Sequence, residues 1–152
     1  MEQTSQEKGK SAELLVFSEL IKRGADLFIP VIDKGIDAVI LKSNGTYQEI
    51  QIKATQEDDQ SGYFNVYDIN EHDEKKFYII CVDMNEKNSV VKDRPNIWIL
   101  PAKDFKEYMV SGYRLPIYEC SRKHGNKLRQ DMLEKYRDAW ELLTESQLSG
   151  TG

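Results

Sequence analysis

Lys34 to Thr55 reads KGIDAVILKSNGTYQEIQIKAT, the pattern of two strands joined by a tight turn. Ile36, Ala38 and Ile40 alternate with Asp37, Val39 and Leu41, and Ile50 and Ile52 alternate with Glu49, Gln51 and Lys53. A period of two marks strands whose faces meet different surroundings. Ser43-Asn44-Gly45 supplies the turn, since Asn and Gly accept the positive φ that tight hairpins need. Directly opposed residues on antiparallel strands share a face. A two-residue Asn44-Gly45 loop sets Asp37 against Ile52 and scrambles the apolar face. A three-residue loop closes Lys42 on Thr46 and sets Ala38 against Ile50, Ile36 against Ile52 and Asp37 against Gln51. A slip of one residue inverts every side chain, so the apolar pattern selects the three-residue loop. That register gathers Asp37, Glu49, Gln51 and Lys53 on one face.

A carboxylate, an amide oxygen and a lysine on adjacent strands suit metal-assisted hydrolysis of a phosphodiester. Asp37 can ligate a hard cation such as Mg²⁺, which takes oxygen ligands and retains waters, and Gln51 can add its carbonyl oxygen. Lys53 can hold a water or hydroxide and offset charge on a phosphate in its transition state.

The spacing D-x(13)-Q-x-K, on a hairpin that follows an N-terminal helix carrying Ala12-Glu13, resembles the PD-(D/E)XK nuclease superfamily. Within it, the chain resembles the Q-x-K variants among Mrr-type restriction endonucleases and relatives of Holliday junction resolvases. The resemblance covers roughly the first two-thirds of the chain by order of elements. It implies that Asp37 is the metal-binding aspartate, Gln51 the second metal-site position, Lys53 the catalytic lysine and Glu13 the helix-one glutamate that some members add. The backbone carbonyl of Ile52 joins the implied ligand set. The implied cofactor is Mg²⁺ or Mn²⁺, and the implied partner is DNA, duplex or branched. The implied reaction is direct hydrolysis, in repair, recombination or restriction. Resolvase-like relatives often pair to cut two strands, so a homodimer is also implied. Two departures stand out. Gly35-Ile36 replaces the usual proline before Asp37, and Gln51 replaces an acid, which removes one ligand charge. Glu49, on the same face, is placed to compensate.

Composition sets bounds. The chain has 152 residues, 39% apolar and 31% charged, which suits one soluble domain with a real core. The net charge of −5 argues against an indiscriminate nucleic-acid binder, whose affinity rests on phosphate neutralisation. No apolar run is long enough to span a membrane, and MEQTSQEKGK lacks a signal-peptide core, so the expected location is cytoplasmic. Two cysteines make no disulfide framework. Cys81 lies in an apolar run. Cys120 and His124 have the spacing of a helical metal pair, but two ligands alone make no zinc site.

The expected fold is α/β, a mixed central sheet flanked by helices in the order of an αβββαβ restriction-endonuclease-like core with C-terminal helices. The whole of 1–152 reads as one nuclease-like domain, with 1–5 and 144–152 disordered. A helix is expected from Gln6 to Gly24 on a stripe of Ala12, Leu15, Val16, Leu20 and Ile21. Leu27–Ile32 reads as an edge strand or bulge because of Pro30. Glu57–Gly62 reads as an acidic loop and Tyr63–Tyr67 as a short strand. Asp68–Lys76 reads as a capped helix or loop with His72 solvated. Phe77–Met84 and Ile97–Leu100 read as buried strands about a polar loop. A short helix over Lys103–Val110 turns Phe105 and Met109 inward, and Gly112–Tyr118 is irregular. A last helix is expected over Asn126–Leu143. Arg114, Arg122, Lys123, Lys127 and Arg129 concentrate positive charge, as a phosphate contact or a solvated face. Two other functions fit the sequence. One is a nuclease-fold module that has lost efficient catalysis and binds nucleic acid or protein. The other is an assembly subunit docking through an exposed last helix.

Overall fold

A computed structural model describes residues 4–32, 34–55 and 62–144. The acidic loop expected at 57–61, and the terminal stretches 1–3 and 145–152, lie outside the described residues.

The helix α1 (Ser5–Lys22) starts one residue earlier than the pattern suggests because Thr4 caps it. The Thr4 hydroxyl accepts from the Glu7 amide, and the Glu7 carboxylate accepts from the Thr4 amide, both at 3.2 Å. Two orphan donors are thereby satisfied reciprocally. Ala12, Val16 and Leu20, one helical turn apart, are fully buried. The stripe is narrower than expected, since Leu15 is 38% and Ile21 62% exposed.

A five-stranded sheet runs in the order β1 (Asp26–Phe28), β2 (Ala38–Leu41), β3 (Tyr47–Thr55), β5 (Phe77–Asp83), β6 (Asn96–Pro101). β3 and β5 are parallel and the other neighbours antiparallel, so the sheet is mixed as expected. The edge strand β1 stops at Phe28, short of the expected Ile32, because Pro30 has no N–H for a ladder. Ile29, Val31 and Ile32 are left exposed.

Each face of the sheet has its own core. On one side α1 covers Ile40, Ile50, Ile52, Ile80, Val82, Ile97 and Ile99, together with Trp140 and Leu143. On the other, Ile79, Cys81, Trp98 and Leu100 pack under Phe64, Phe105, Leu115 and Leu133. The crossover from β3 to β5 spans this second face. It carries β4 (Tyr63–Asn65) and a single 3₁₀ turn, Ile69–Glu71, so the expected helical link is much reduced. β4 pairs antiparallel with β7 (Arg114–Pro116), which corrects the expectation of irregular chain there. Pro116 is tolerated because a two-stranded ribbon leaves one side of each strand unpaired. The helix α2 (Ala102–Tyr108) buries Phe105 as expected.

The long C-terminal helix does not form. The segment instead breaks into β8 (Cys120–Ser121), β9 (Lys127–Leu128), α3 (Arg129–Met132) and 3₁₀ turns at Glu134–Tyr136 and Trp140–Leu142. Tertiary demands override the helical spacing. Arg137 bridges Trp98 at the β6 edge, the Asp138 amide donates to Ile97 O at 2.8 Å, and Asp138 adopts φ 54°. Its apolar residues are nonetheless core: Ala139, Trp140 and Leu143 are all at most 3% exposed. This removes the exposed face that an assembly subunit would dock through.

The basic cluster also resolves differently. Arg129 is 5% exposed and donates to the carbonyls of Tyr108, Cys120 and Glu119 at 2.7, 3.0 and 3.2 Å. It therefore staples α2 to β8 rather than facing solvent or phosphate. Cys120 lies in a strand, not on a helix with His124, and both His124 ring nitrogens are engaged by Ser121 Oγ (2.7 Å) and Glu107 (3.1 Å). No helix among the described residues is long and apolar enough to cross a membrane.

Cys81 is fully buried and its thiol is pushed up by that burial, whereas Cys120 is exposed. The thiolate is the reactive form. A thiol reagent should therefore modify one cysteine, Cys120, in the native protein and both after unfolding, as counted by mass spectrometry.

Candidate active site

The hairpin places the candidate site. Lys42 N donates to Thr46 O at 2.8 Å and Gly45 N to Lys42 O at 3.0 Å, with Gly45 at φ 87°. The Asn44 side chain accepts from the Thr46 amide at 3.0 Å and from the Thr46 hydroxyl at 2.6 Å. This is the three-residue loop that the apolar pattern selects. Its register holds from Leu41–Tyr47 through Ala38–Ile50.

At Asp37 the register slips. The Asp37 amide donates to Ile50 O at 2.7 Å, the carbonyl of the residue that faces Ala38. Asp37 and Ala38 thus share Ile50, and Asp37 does not sit squarely opposite Gln51. A bulge of this kind ends the pairing and re-aims a side chain. The Asp37 carboxylate turns into the plane of the sheet and accepts from Ile52 N at 2.6 Å. It occupies the place that the next β2 residue would take in the ladder. In an extended strand the N–H and C=O of one residue point to the same edge, so the Ile52 carbonyl projects toward the same side.

Gln51 and Lys53 flank Ile52 and share the face opposite α1. In β5 their neighbours are Ile79 and Cys81. Gln51 is 7% exposed, and its Oε1, like Gln48 Oε1 and Trp98 Nε1, is buried with no hydrogen-bond partner among the described residues. An unpaired buried amide oxygen costs about 1–3 kcal/mol. Lys53 is half-buried and its positive charge lies close enough to Cys81 to pull against the upward shift of that thiol. Glu49, two residues before Gln51, points the same way and is half-buried.

Asp37, Gln51 and Lys53 are therefore brought together around one peptide of β3. Glu13 is set apart from them. It lies on α1, over the opposite face of the sheet, with its carboxylate 2.8 Å from Lys10 Nζ.

The turn before Asp37 has a support that sequence reasoning missed. His72 is not solvated. Its side chain is 8% exposed, stacked on Phe77 at 4.1 Å, and its Nε2 lies 2.7 Å from Asp68 Oδ2. This pair presses on Gly35, where an added Cβ would fall 2.1 Å from Asp68 Oδ2. Gly35 is at φ 83°, a region that glycine alone enters freely. The i,i+4 spacing of Asp68 and His72 was visible in the sequence, but nothing there tied it to Gly35.

The donor set fits a hard cation in kind. Carboxylate, amide and peptide oxygens are what Mg²⁺ and Mn²⁺ accept, and the orphaned Gln51 oxygen lacks only a partner. Among the described residues no group of three or more His, Cys, Asp or Glu is set to hold a metal. Any cation here would depend on neutral oxygens and retained waters.

No protein-family model matches the chain, and no curated protein does. Among solved structures, the chain is similar to a bacterial homing endonuclease, I-Ssp6803I. The superposition has a TM-score of 0.61 at 18% identity and covers 98% of this chain and 97% of the other. The likeness extends over nearly the whole chain and is one of fold.

Gln51→Glu should bury an uncompensated carboxylate and lower Tm in EDTA by roughly 4–8 °C, the equivalent of about 2 kcal/mol for a chain of this length. Millimolar Mg²⁺ should restore most of the loss, as read by thermal melts with and without the cation. Gly35→Ala should cost about 2 kcal/mol in denaturant melts, through backbone strain and the clash with Asp68.

Proposed function

We propose that this protein is a divalent-cation-dependent endonuclease that hydrolyses phosphodiester bonds in DNA. The observation that carries this reading is the buried, unpartnered Gln51 amide oxygen beside an Asp37 carboxylate locked onto Ile52 N. The similarly folded structure is that of a bacterial homing endonuclease, which points the same way.

In this reading Asp37, Gln51 and the Ile52 carbonyl hold Mg²⁺ or Mn²⁺, and Glu13 adds a carboxylate from the α1 side. The bound cation supplies positive charge against the scissile phosphate and lowers the pKa of a bound water. Lys53 does the rest of the electrostatic work. Its ammonium donates to the attacking water, holds it in line with phosphorus and offsets charge that grows on the phosphate oxygens. The Asp37–Ile52 bond keeps the carboxylate in one rotamer, so little reorganisation is needed when the phosphate arrives. Hydrolysis is direct, with no residue serving as covalent nucleophile. Cutting both strands of a duplex would engage two copies of the chain.

The competing reading is a nuclease-fold module that binds DNA or a protein without cutting. Its support is the neutral Gln51 where an acid would bind a cation more strongly. Nicking of supercoiled plasmid and branched DNA in Mg²⁺ or Mn²⁺ separates the two. The wild type should nick, EDTA should stop it, and Asp37→Ala and Lys53→Ala should each lose at least about a hundredfold in rate, with Asp37→Ala melting a few degrees lower because the Ile52 amide loses its acceptor but still unfolding cooperatively above the assay temperature. Equal nicking by wild type and both variants, or none by any, would leave the binding module standing.

A further inference from the structure

The ribbon formed by β4 and β7 has two unlike faces. Phe64 and Leu115, directly opposed, are 2% and 0% exposed and pack on the sheet. The other face is a contiguous polar and aromatic cluster. The Arg114 guanidinium stacks over the Tyr63 ring at 4.2 Å, and Arg114 Nε donates to Asn65 Oδ1 at 3.4 Å. Asn65 Nδ2 donates to the Tyr67 hydroxyl at 3.4 Å, and Tyr67, 73% exposed, stacks on Tyr113 at 4.6 Å. Five side chains are thus ordered by one another on the face turned away from the core, with Tyr67 exposed and the other four half-buried.

The chain leaving β4 runs to the turn before the candidate active site. Tyr67 precedes Asp68, which presses on Gly35, two residues before Asp37. Chain reach keeps Tyr67 within roughly 20 Å of Asp37, a few base-pair steps of a duplex. A two-stranded ribbon fits the major groove, where base edges show their full donor and acceptor pattern. Arginine forks onto guanine O6 and N7, and asparagine pairs with adenine N6 and N7. Stacking on Tyr63 and the bond to Asn65 hold the Arg114 fork in one orientation, which lowers the entropy lost on contact. Tyrosine hydroxyls and faces suit phosphates and sugars at the groove walls. The chain as a whole is acidic, so affinity cannot rest on broad phosphate neutralisation and gains from such local contacts.

We propose that the outward face of the β4–β7 ribbon reads base edges in the major groove of duplex DNA, with Arg114 selecting a guanine. The proposal rests on the reading of the protein as a DNA-acting enzyme and adds its specificity element.

The test is enrichment of a random duplex pool on the full-length protein in Ca²⁺, followed by sequencing. Wild type, Arg114→Gln, Arg114→Lys and Asn65→Ala would be compared. Wild type should enrich a motif containing a guanine. Arg114→Gln should lose preference for that guanine by roughly tenfold or more and shift it toward adenine, because glutamine pairs with adenine edges. Arg114→Lys keeps the charge but not the fork, so it should relax that one column and leave the others. Asn65→Ala should weaken a neighbouring column. A merely structural role for Arg114 would lower melting without changing the motif. An identical motif in all four proteins, no motif in wild type, or binding to single strands alone would overturn the proposal. Plasmid nicking that persists under those outcomes would leave the nuclease reading intact, whereas loss of both nicking and duplex binding would sink the two together.

Discussion

The candidate site depends on one hydrogen bond, from the Ile52 amide to the Asp37 carboxylate at 2.6 Å. It does two things at once. It satisfies a backbone donor on β3 that would be orphaned where β2 ends, and such donors are expensive to leave buried. It also fixes a carboxylate in the plane of the sheet, at an edge where both faces can reach it. The bulge at Asp37, the Gly35 turn and the Asp68–His72 pair behind it all serve to deliver that side chain to that amide.

The sheet around this edge is divided between two apolar layers, and the polar strip Glu49, Gln51, Lys53 interrupts the one opposite α1. Burying Gln51 beside Ile79 is a poor choice for stability alone, because its oxygen has no donor among the described residues. An apolar residue of similar size would be cheaper there. Local conflicts of this kind concentrate at functional sites. The far end of β3 shows how the same chain treats a buried polar group that is structural. Asp83 is fully buried and accepts from Thr55 Oγ1 (2.8 Å), Asn85 N (2.9 Å), Asn88 Nδ2 (3.1 Å) and the Tyr118 hydroxyl. Burial, together with the bond to Asp83, raises the Tyr118 hydroxyl well above its usual range. Every lone pair there has work, whereas Gln51 Oε1, like Gln48 Oε1 and Trp98 Nε1, is left without a partner among the described residues.

The hairpin was legible in the sequence because two independent signals coincide there, the apolar alternation and the Asn44-Gly45 turn. Together they place Asp37, Gln51 and Lys53 on adjacent strands before any coordinates exist. The bulge was not legible, since a slip at a strand end leaves no mark on the alternation. The C-terminal third was misleading for a definite reason. Leu128, Met132, Tyr136, Ala139, Trp140 and Leu143 keep helical spacing, yet the chain between them is bent to cap the β6 edge and to seat Arg129 among three carbonyls. The ribbon strand Arg114–Pro116 hides behind Gly112 and Pro116, whose usual message is a break. His72 looked solvated in a charged stretch, and only the fold brings Phe77 and Gly35 against it. Local signals carry local structure, and each of these misses concerns a contact between distant parts of the chain.

The central claim is that Asp37 and Gln51 hold a divalent cation at the sheet edge. Titration of Mn²⁺ into the protein, followed by electron paramagnetic resonance of the free ion, measures this directly and without substrate. The account predicts one site in the wild type, competed by Mg²⁺ and lost in Asp37→Ala, which still folds and unfolds cooperatively although the Ile52 amide has lost its acceptor. Identical binding by wild type and Asp37→Ala, or none by either, would contradict it.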